Sequence, residues 1–183
     1  MKRTWIYKVR PLLDSDECLL VPLTRGYSAS IDVEDRPLVE GHNWYASPSR
    51  HGHFYARAYH NGGRIGLHQV VMRVGPGVLV DHADRNPLNC RKSNLRLASP
   101  RQNCQNRTRY KNTTSNLKGV MFRSDRGTWK AAITVDGKRI TLGTFKTREE
   151  AGAAYDDAAR KYFGQFAVLN FPERFDEPMR EAA

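Results

Sequence analysis

Over the first sixty positions apolar and polar residues alternate in short runs. Leu19-Leu20-Val21-Pro22-Leu23, Tyr27 to Val33, Asn43-Trp44-Tyr45-Ala46 and Phe54 to Tyr59 follow a period close to two. Gly26, Pro37, Gly41 and Gly52 separate them, so a set of short strands is predicted. Trp44, Tyr45, Phe54 and Tyr55 are expected to fill a small β core rather than to stack on bases. The period then changes. Leu67, Val70, Val71 and Val74 recur at helical spacing until Gly75-Pro76-Gly77 stops them. A strand, Val78-Leu79-Val80, runs into Asp81-His82, and a polar loop with Asn86-Pro87 and Asn89 leads to a second strand, Asn94 to Leu97. Ser99 is placed to cap a helix, with Pro100 at its first position and Gln102 completing a Ser-x-x-Gln box.

A polar stretch from Asn106 to Asn116 has almost no apolar residues and reads as a linker. Beyond it Lys118–Arg123, Trp129–Val135 and Arg139–Phe145 predict three strands, the last two joined by a tight Asp136-Gly137 turn. Thr147 and Glu150 form a capping box, and Ala151, Ala154, Tyr155, Ala158, Ala159 and Tyr162 make one apolar helical stripe that ends at Gly164. Alanines let a helix lie close to a sheet, so the expectation is a three-stranded antiparallel sheet covered on one face by one helix. Alternation turns Ala131, Ile133 and Val135 toward that helix. Lys130, Ala132, Thr134, Arg139 and Thr141 then face outward, joined by Lys118 and Arg123. The fold class is α+β.

Charge adds a partner to this outline. The 183 residues carry 30 Lys+Arg against 19 Asp+Glu, a net of +11. Residues 1–60 are nearly neutral, 61–113 hold ten basic and two acidic groups, and 114–146 hold seven and two. Two basic segments beside a neutral one point to a polyanion. The two acids in the most basic segment, Asp81 and Asp84, flank His82, which suits metal and phosphate chemistry. No apolar run is long enough to span a membrane and the N-terminus lacks a signal-peptide core, so a cytoplasmic protein without membrane association is expected. Cys18, Cys90 and Cys104 contain no Cys-x-x-Cys pair, which argues for reduced thiols and against zinc.

Asp81-His82, then Asn94 twelve residues after the histidine and Asn103 nine further on, across strand, loop, strand and helix, resembles the ββα-metal core of HNH endonucleases of the phage homing type. The resemblance takes in Leu67-His68-Gln69-Val70-Val71 and, more faintly, Ile31-Asp32-Val33-Glu34-Asp35 with Asn43-Trp44-Tyr45. It implies a metal-dependent, site-preferring DNase. His82 would be the general base, oriented by Asn94, with Asp81 and Asn103 ligating one Mg²⁺ or Mn²⁺. His68 is expected in a structural or phosphate-contacting role, and Asp84, Asn86 and Asn89 as loop-formers.

Gly119-Val120, the run Arg126 to Ile133, Gly137-Lys138-Arg139-Ile140, Leu142 to Phe145, Glu150 to Ala159 and Leu169-Asn170-Phe171-Pro172 resemble the APETALA-type, or ethylene-response-factor, DNA-binding domain over about residues 114–172. Such domains lay their sheet in the major groove. The resemblance implies that Lys118, Arg123, Arg126, Lys130, Thr134, Arg139 and Thr141 contact double-stranded DNA. Met121, Thr134 and Thr141 stand where Arg, Arg and Trp are usual, so the target sequence is not that of the plant proteins. The expected organisation is a β-rich segment (1–60), a nuclease core (61–108), a basic linker (109–116), the DNA-binding domain (117–172) and a tail. The chain is expected to act as a monomer with no small-molecule cofactor. A non-catalytic DNA-binding regulator with a decayed nuclease core is the alternative.

Overall fold

The computed structural model describes residues 11–14, 18–50, 52–106 and 114–175. Most of the expected linker (109–113) and of the tail (176–183) lies outside the described residues. The chain divides into two compact units, residues 1–100 and 101–183. No described helix is long and apolar enough to cross a membrane.

The first unit holds three small antiparallel sheets. β1 (Leu13–Asp14), β2 (Leu19–Pro22) and β3 (Ser28–Ile31) form one; β4 (Tyr45–Pro48), β5 (Phe54–His60) and β6 (Gly63–Gly66) form a second; β7 (Val80–His82) and β8 (Leu95–Leu97) form a two-stranded ribbon. The helices are short, α1 over Arg36–Val39 and α2 over Leu67–Val71. Strand β6 was not anticipated. Its turn is nevertheless written in the chain, since Asn61 and Gly62 both take positive φ, at 47° and 79°, the backbone that an Asn-Gly hairpin needs. Glycines at both ends of β6 hid the strand that the turn announces.

One core joins these pieces. Leu19, Val21, Ile31, Val39, Trp44, Ala46, Ala56, Ala58, Leu67 and Val71 pack together with Cys90 from the polar loop and Leu95 from β8. Burial of each large aliphatic side chain here is worth about 2 kcal/mol, so the loop and ribbon are held by the same hydrophobic mass as the sheets. Polar clamps add direction. Ser30 donates its N–H to Leu88 O and accepts at its carbonyl from Cys90 N, both at 2.8 Å. Asp32 accepts from Arg91 Nε (3.2 Å) and Lys92 N (2.8 Å), while Lys92 Nζ pairs with Glu34 (2.7 Å) and Asp35 (2.8 Å). The acidic run 32–35 therefore fastens residues 88–92 onto the β3 edge.

Of the four aromatics expected in the core of this unit, two are there and two are not. Trp44 is buried, donating Nε1–H to Val39 O at 2.9 Å, and Phe54 packs on the core. Tyr45 and Tyr55 lie on the other face of the β4–β5–β6 sheet, because Tyr45 pairs with Arg57 and Ser47 with Tyr55, while the intervening Ala46 and Ala56 face the core.

The second unit begins with α3 (Pro100–Gln105), followed by β9 (Val120–Arg123), β10 (Thr128–Val135), β11 (Lys138–Phe145) and α4 (Arg148–Phe163). The sheet order is β11-β10-β9, all antiparallel. α4 carries the expected box: Glu150 N–H donates to Thr147 Oγ1 and Thr147 N–H to Glu150 Oε2, each at 3.2 Å. Ala151, Tyr155, Ala159 and Phe163 are buried against Val120, Ala131 and Ile133, and Gly164 ends the helix with φ at 52°. Ala132, expected to face outward, is buried. The register shifts between Ala131 and Ala132, and the Ala132 N–H is covered by Gly119 O at 2.9 Å. Gly119 itself has φ of 75°, and a Cβ there would fall 1.9 Å from the Tyr155 ring.

Candidate functional site

His82 ends β7, directly opposite Leu95 of β8, and only 6% of it is exposed. Its Nε2 lies 3.9 Å from Cys90 Sγ, and its ring is 5.2 Å from that of His68 and 6.2 Å from that of Tyr55. Burial pushes the His82 imidazole down to about 4, outweighing the neighbouring Asp84 and Asp81 carboxylates that favour its charged form. At pH 7 this imidazole is neutral. His68, the second residue of α2, is lowered to about 4 by burial first and then by the His82 and Arg57 charges. Its Nδ1 is buried without a hydrogen-bond partner among the described residues. The Cys90 thiol is pushed up to about 12 by burial, and its S–H faces Pro87 O at 3.7 Å. It is a protonated thiol under the imidazole and not a thiolate ligand.

Asp81, one residue before the histidine, is 5% exposed and faces Arg96 across the ribbon. Arg96 Nε and Nη2 reach Asp81 Oδ2 at 2.8 and 2.7 Å, with both side chains largely buried. Arg96 was not singled out from sequence. The signal was present in the Leu-Arg-Leu strand, where an arginine placed opposite Asp81 has that carboxylate as its natural partner.

Asn94 is buried and builds the loop that follows His82. Its Oδ1 accepts from Asp84 N (2.9 Å), its Nδ2 donates to Asp84 Oδ1 and Asn89 O (both 2.8 Å), and its carbonyl accepts from Ala83 N (2.9 Å). These bonds go to the loop and not to the imidazole, so Asn94 fixes the path of the chain leaving His82. Asp84 completes the knot by accepting from Asn86 N (2.8 Å) and Asn89 Nδ2 (2.7 Å). Burial raises the Asp84 carboxyl, but these donors hold it below its ordinary value. The three loop residues are thus engaged with one another as turn-formers.

Asn103 is the fourth residue of α3, half-buried, and belongs to the second unit. Among the described residues no group of three or more His, Cys, Asp or Glu side chains converges as a metal-holding set. The donor chemistry at Asp81 fits a hard cation held by few protein oxygens, as Mg²⁺ is when phosphate and water complete its shell.

In the second unit Lys130 pairs across the sheet with Met121 and Thr144, and Thr134 with Arg139. Thr134, Arg139 and Thr141 are exposed and Lys130 is half-exposed. Arg123 is bound to Asp125 at 2.7 Å, and Arg126 stands 3.7 Å from the same carboxylate. Lys118 lies before β9, where its Nζ donates to Gln105 O (2.7 Å) and its N–H to Asn170 Oδ1 (2.6 Å). Asn170 is itself held by Asp156, which also accepts from Phe171 N. Lys118 is thereby tied into the framework, whereas Lys130 and Arg139 stand on the open face.

The fold and site define a mixed α/β chain with a buried histidine at the mouth of a clamped polar loop, followed by a separate sheet-on-helix unit. Its relatives fall in the same two groups. The HNH endonuclease family model matches residues 68–105. An uncharacterized HNH endonuclease of Acanthamoeba polyphaga mimivirus is 32% identical over 152 residues, covering 80% of this chain and 76% of the relative. Protein 3.8 of Escherichia phage T7 is 39% identical over 93 residues, half of this chain and 74% of its own length. Dehydration-responsive element-binding protein 2D of Arabidopsis thaliana is 48% identical over 64 residues, 34% of this chain and 31% of that protein. The chain belongs to the HNH endonuclease family, and part of it is similar to plant transcription factors of the APETALA/ethylene-response-factor type.

Proposed function

We propose that this chain is a divalent-cation-dependent DNA endonuclease that hydrolyses phosphodiester bonds, with residues 61–108 as its nuclease core and 117–172 as a unit that brings it to preferred sites on double-stranded DNA. The observation that carries the reading is the neutral, buried His82 set at a strand end beside Asp81. A neutral imidazole takes a proton from water, and the loop clamp at Asn94 and Asp84 holds its position. Asp81 and Asn103 are the proposed oxygen ligands, with Arg96 fixing the Asp81 carboxylate through Oδ2. A bound Mg²⁺ or Mn²⁺ would stabilise charge on the phosphoryl group and the leaving oxygen. His82 would accept the proton of the attacking water, and cleavage would leave a 5′ phosphate and a 3′ hydroxyl. With one such centre per chain, a monomer would nick one strand.

The test is incubation of supercoiled plasmid with the purified protein and Mg²⁺ or Mn²⁺. Wild type should convert plasmid to nicked circles, EDTA should stop it, and His82→Ala should slow it by about 10²-fold or more. Equal nicking by the variant removes His82 as base. No cation-dependent nicking by wild type would leave a DNA-binding protein without nuclease activity.

A further inference from the structure

Residues 41–80 contain four arginines and no aspartate or glutamate. The seven carboxylates of the first sixty residues all fall between positions 14 and 40, so the near-neutral total of that segment hides two parts of opposite character. The structure separates them physically. Arg36 pairs with Asp14 and Glu40, Arg91 with Asp32, Lys92 with Glu34 and Asp35, and Arg96 with Asp81. Arg57 and Arg64 make no ion pair with any described residue, and both rise from the outer face of the β4–β5–β6 sheet.

That face is built in register. Arg57 pairs across the sheet with Tyr45 and with Gly66, and Tyr59 with Arg64. The Tyr45 and Tyr59 rings stack with centroids 5.6 Å apart and planes within 19°, and Tyr59 is 69% exposed. Burial and a hydrogen bond that the Tyr45 hydroxyl donates to Tyr59 raise the Tyr45 phenol, while the Arg64 and Arg57 charges pull it down, which places both guanidiniums around the tyrosine pair. Along β5 the outward residues run Tyr59, Arg57, Tyr55. The last of these has its ring 6.1 Å from His68 and 6.2 Å from His82. The row is thus continuous with the histidine site, and its four-residue span covers about 13 Å.

We infer that this outer face, through Arg57, Arg64, Tyr45 and Tyr59, is a second phosphate-binding surface that holds the DNA backbone next to the bond presented to His82. The inference rests on the nuclease reading for its position and on charge for its occupant. A carboxylate-free patch of unpaired arginines with phenol hydroxyls is complementary to phosphates, to which both groups donate hydrogen bonds without regard to base.

The full chain, in EDTA so that nothing is cut, is titrated against a fluorescent 30-base-pair duplex of mixed sequence at several salt concentrations. Each lost phosphate contact lowers the slope of log affinity against log salt by about 0.9, so Arg57→Gln with Arg64→Gln should lower it by nearly 2 and weaken binding several-fold at low salt. Arg36→Gln removes a charge from the same unit at a carboxylate-paired position and should leave the slope unchanged. A double variant with the wild-type slope overturns the inference and leaves the face to some other anionic partner. Arg57→Lys with Arg64→Lys keeps the charges and should keep the slope; if it loses as much as the glutamine pair, the arginines act through the fold and the inference fails. Plasmid nicking is scored separately. Wild-type protein that binds with these slopes but never nicks sinks the nuclease reading and not the surface.

Discussion

At His82 burial keeps the imidazole neutral against the Asp84 and Asp81 carboxylates, which favour its charged form. Burial wins because Asp81 also faces Arg96, and Cys90 beside the ring is a buried protonated thiol that brings no charge. At Gly119 the demand is steric instead. Positive φ already disfavours a side chain, and the Tyr155 ring and the Ala132 carbonyl stand at 1.9 Å and 2.8 Å from where a Cβ would go. Neither a main-chain carbonyl nor a ring buried under the sheet can step aside. Gly119→Ala should therefore destabilise the second unit by about 3 kcal/mol or more and lower its melting temperature by 10 °C or more, read by near-ultraviolet circular dichroism. A melt within two degrees of wild type would show that the sheet yields at this point.

Elements show how the two histidines tie the ribbon to α2. Both are lowered to about 4 against an ordinary value near 6.5, so between those limits the unfolded chain binds more protons than the folded one. The stability that they contribute is complete above pH 6.5 and is lost as the pH falls toward 4. Asp84, also lowered, loses its own contribution only below about pH 4 to 5. In EDTA the first unit should thus melt several degrees lower at pH 5 than at pH 7, and His68→Gln should blunt the drop; equal melting at the two pH values would contradict the burial of these rings. Periodicity foresaw most of these elements, including the β7–loop–β8 order and the α4 cap. It places residues on alternating faces but does not say which face is inside, so Tyr45 and Tyr55 read as core although Ala46 and Ala56 occupy it. Asn94 was legible in the sequence as a candidate because its spacing from His82 is distinctive. Its hydrogen-bond partners were not, since the loop that it clamps exists only after Cys90 and Leu95 are buried together.

For the whole molecule, net charge counts every cation, but DNA meets only those that the fold leaves unpaired. Arg91, Lys92 and Arg96 sit in the most basic segment, yet each is bound to a carboxylate of its own unit, while Arg64 of the same segment and Arg57 of the near-neutral stretch before it make no ion pair with any described residue. In the second unit the same sorting sets aside Lys118 and Arg123 and leaves Lys130 and Arg139 on the open sheet face. If that face locates the site and His82 does the cutting, the two can be separated in one chain. Lys130→Ala with Arg139→Ala should lower the salt slope of duplex binding by about 2 and raise the KM for nicking, while kcat at saturating DNA stays within about twofold of wild type. His82→Ala should do the reverse, keeping the slope and losing kcat. A fall in kcat for the double variant, with binding unchanged, would mean that the sheet takes part in the chemical step and that finding and cutting are not separate tasks.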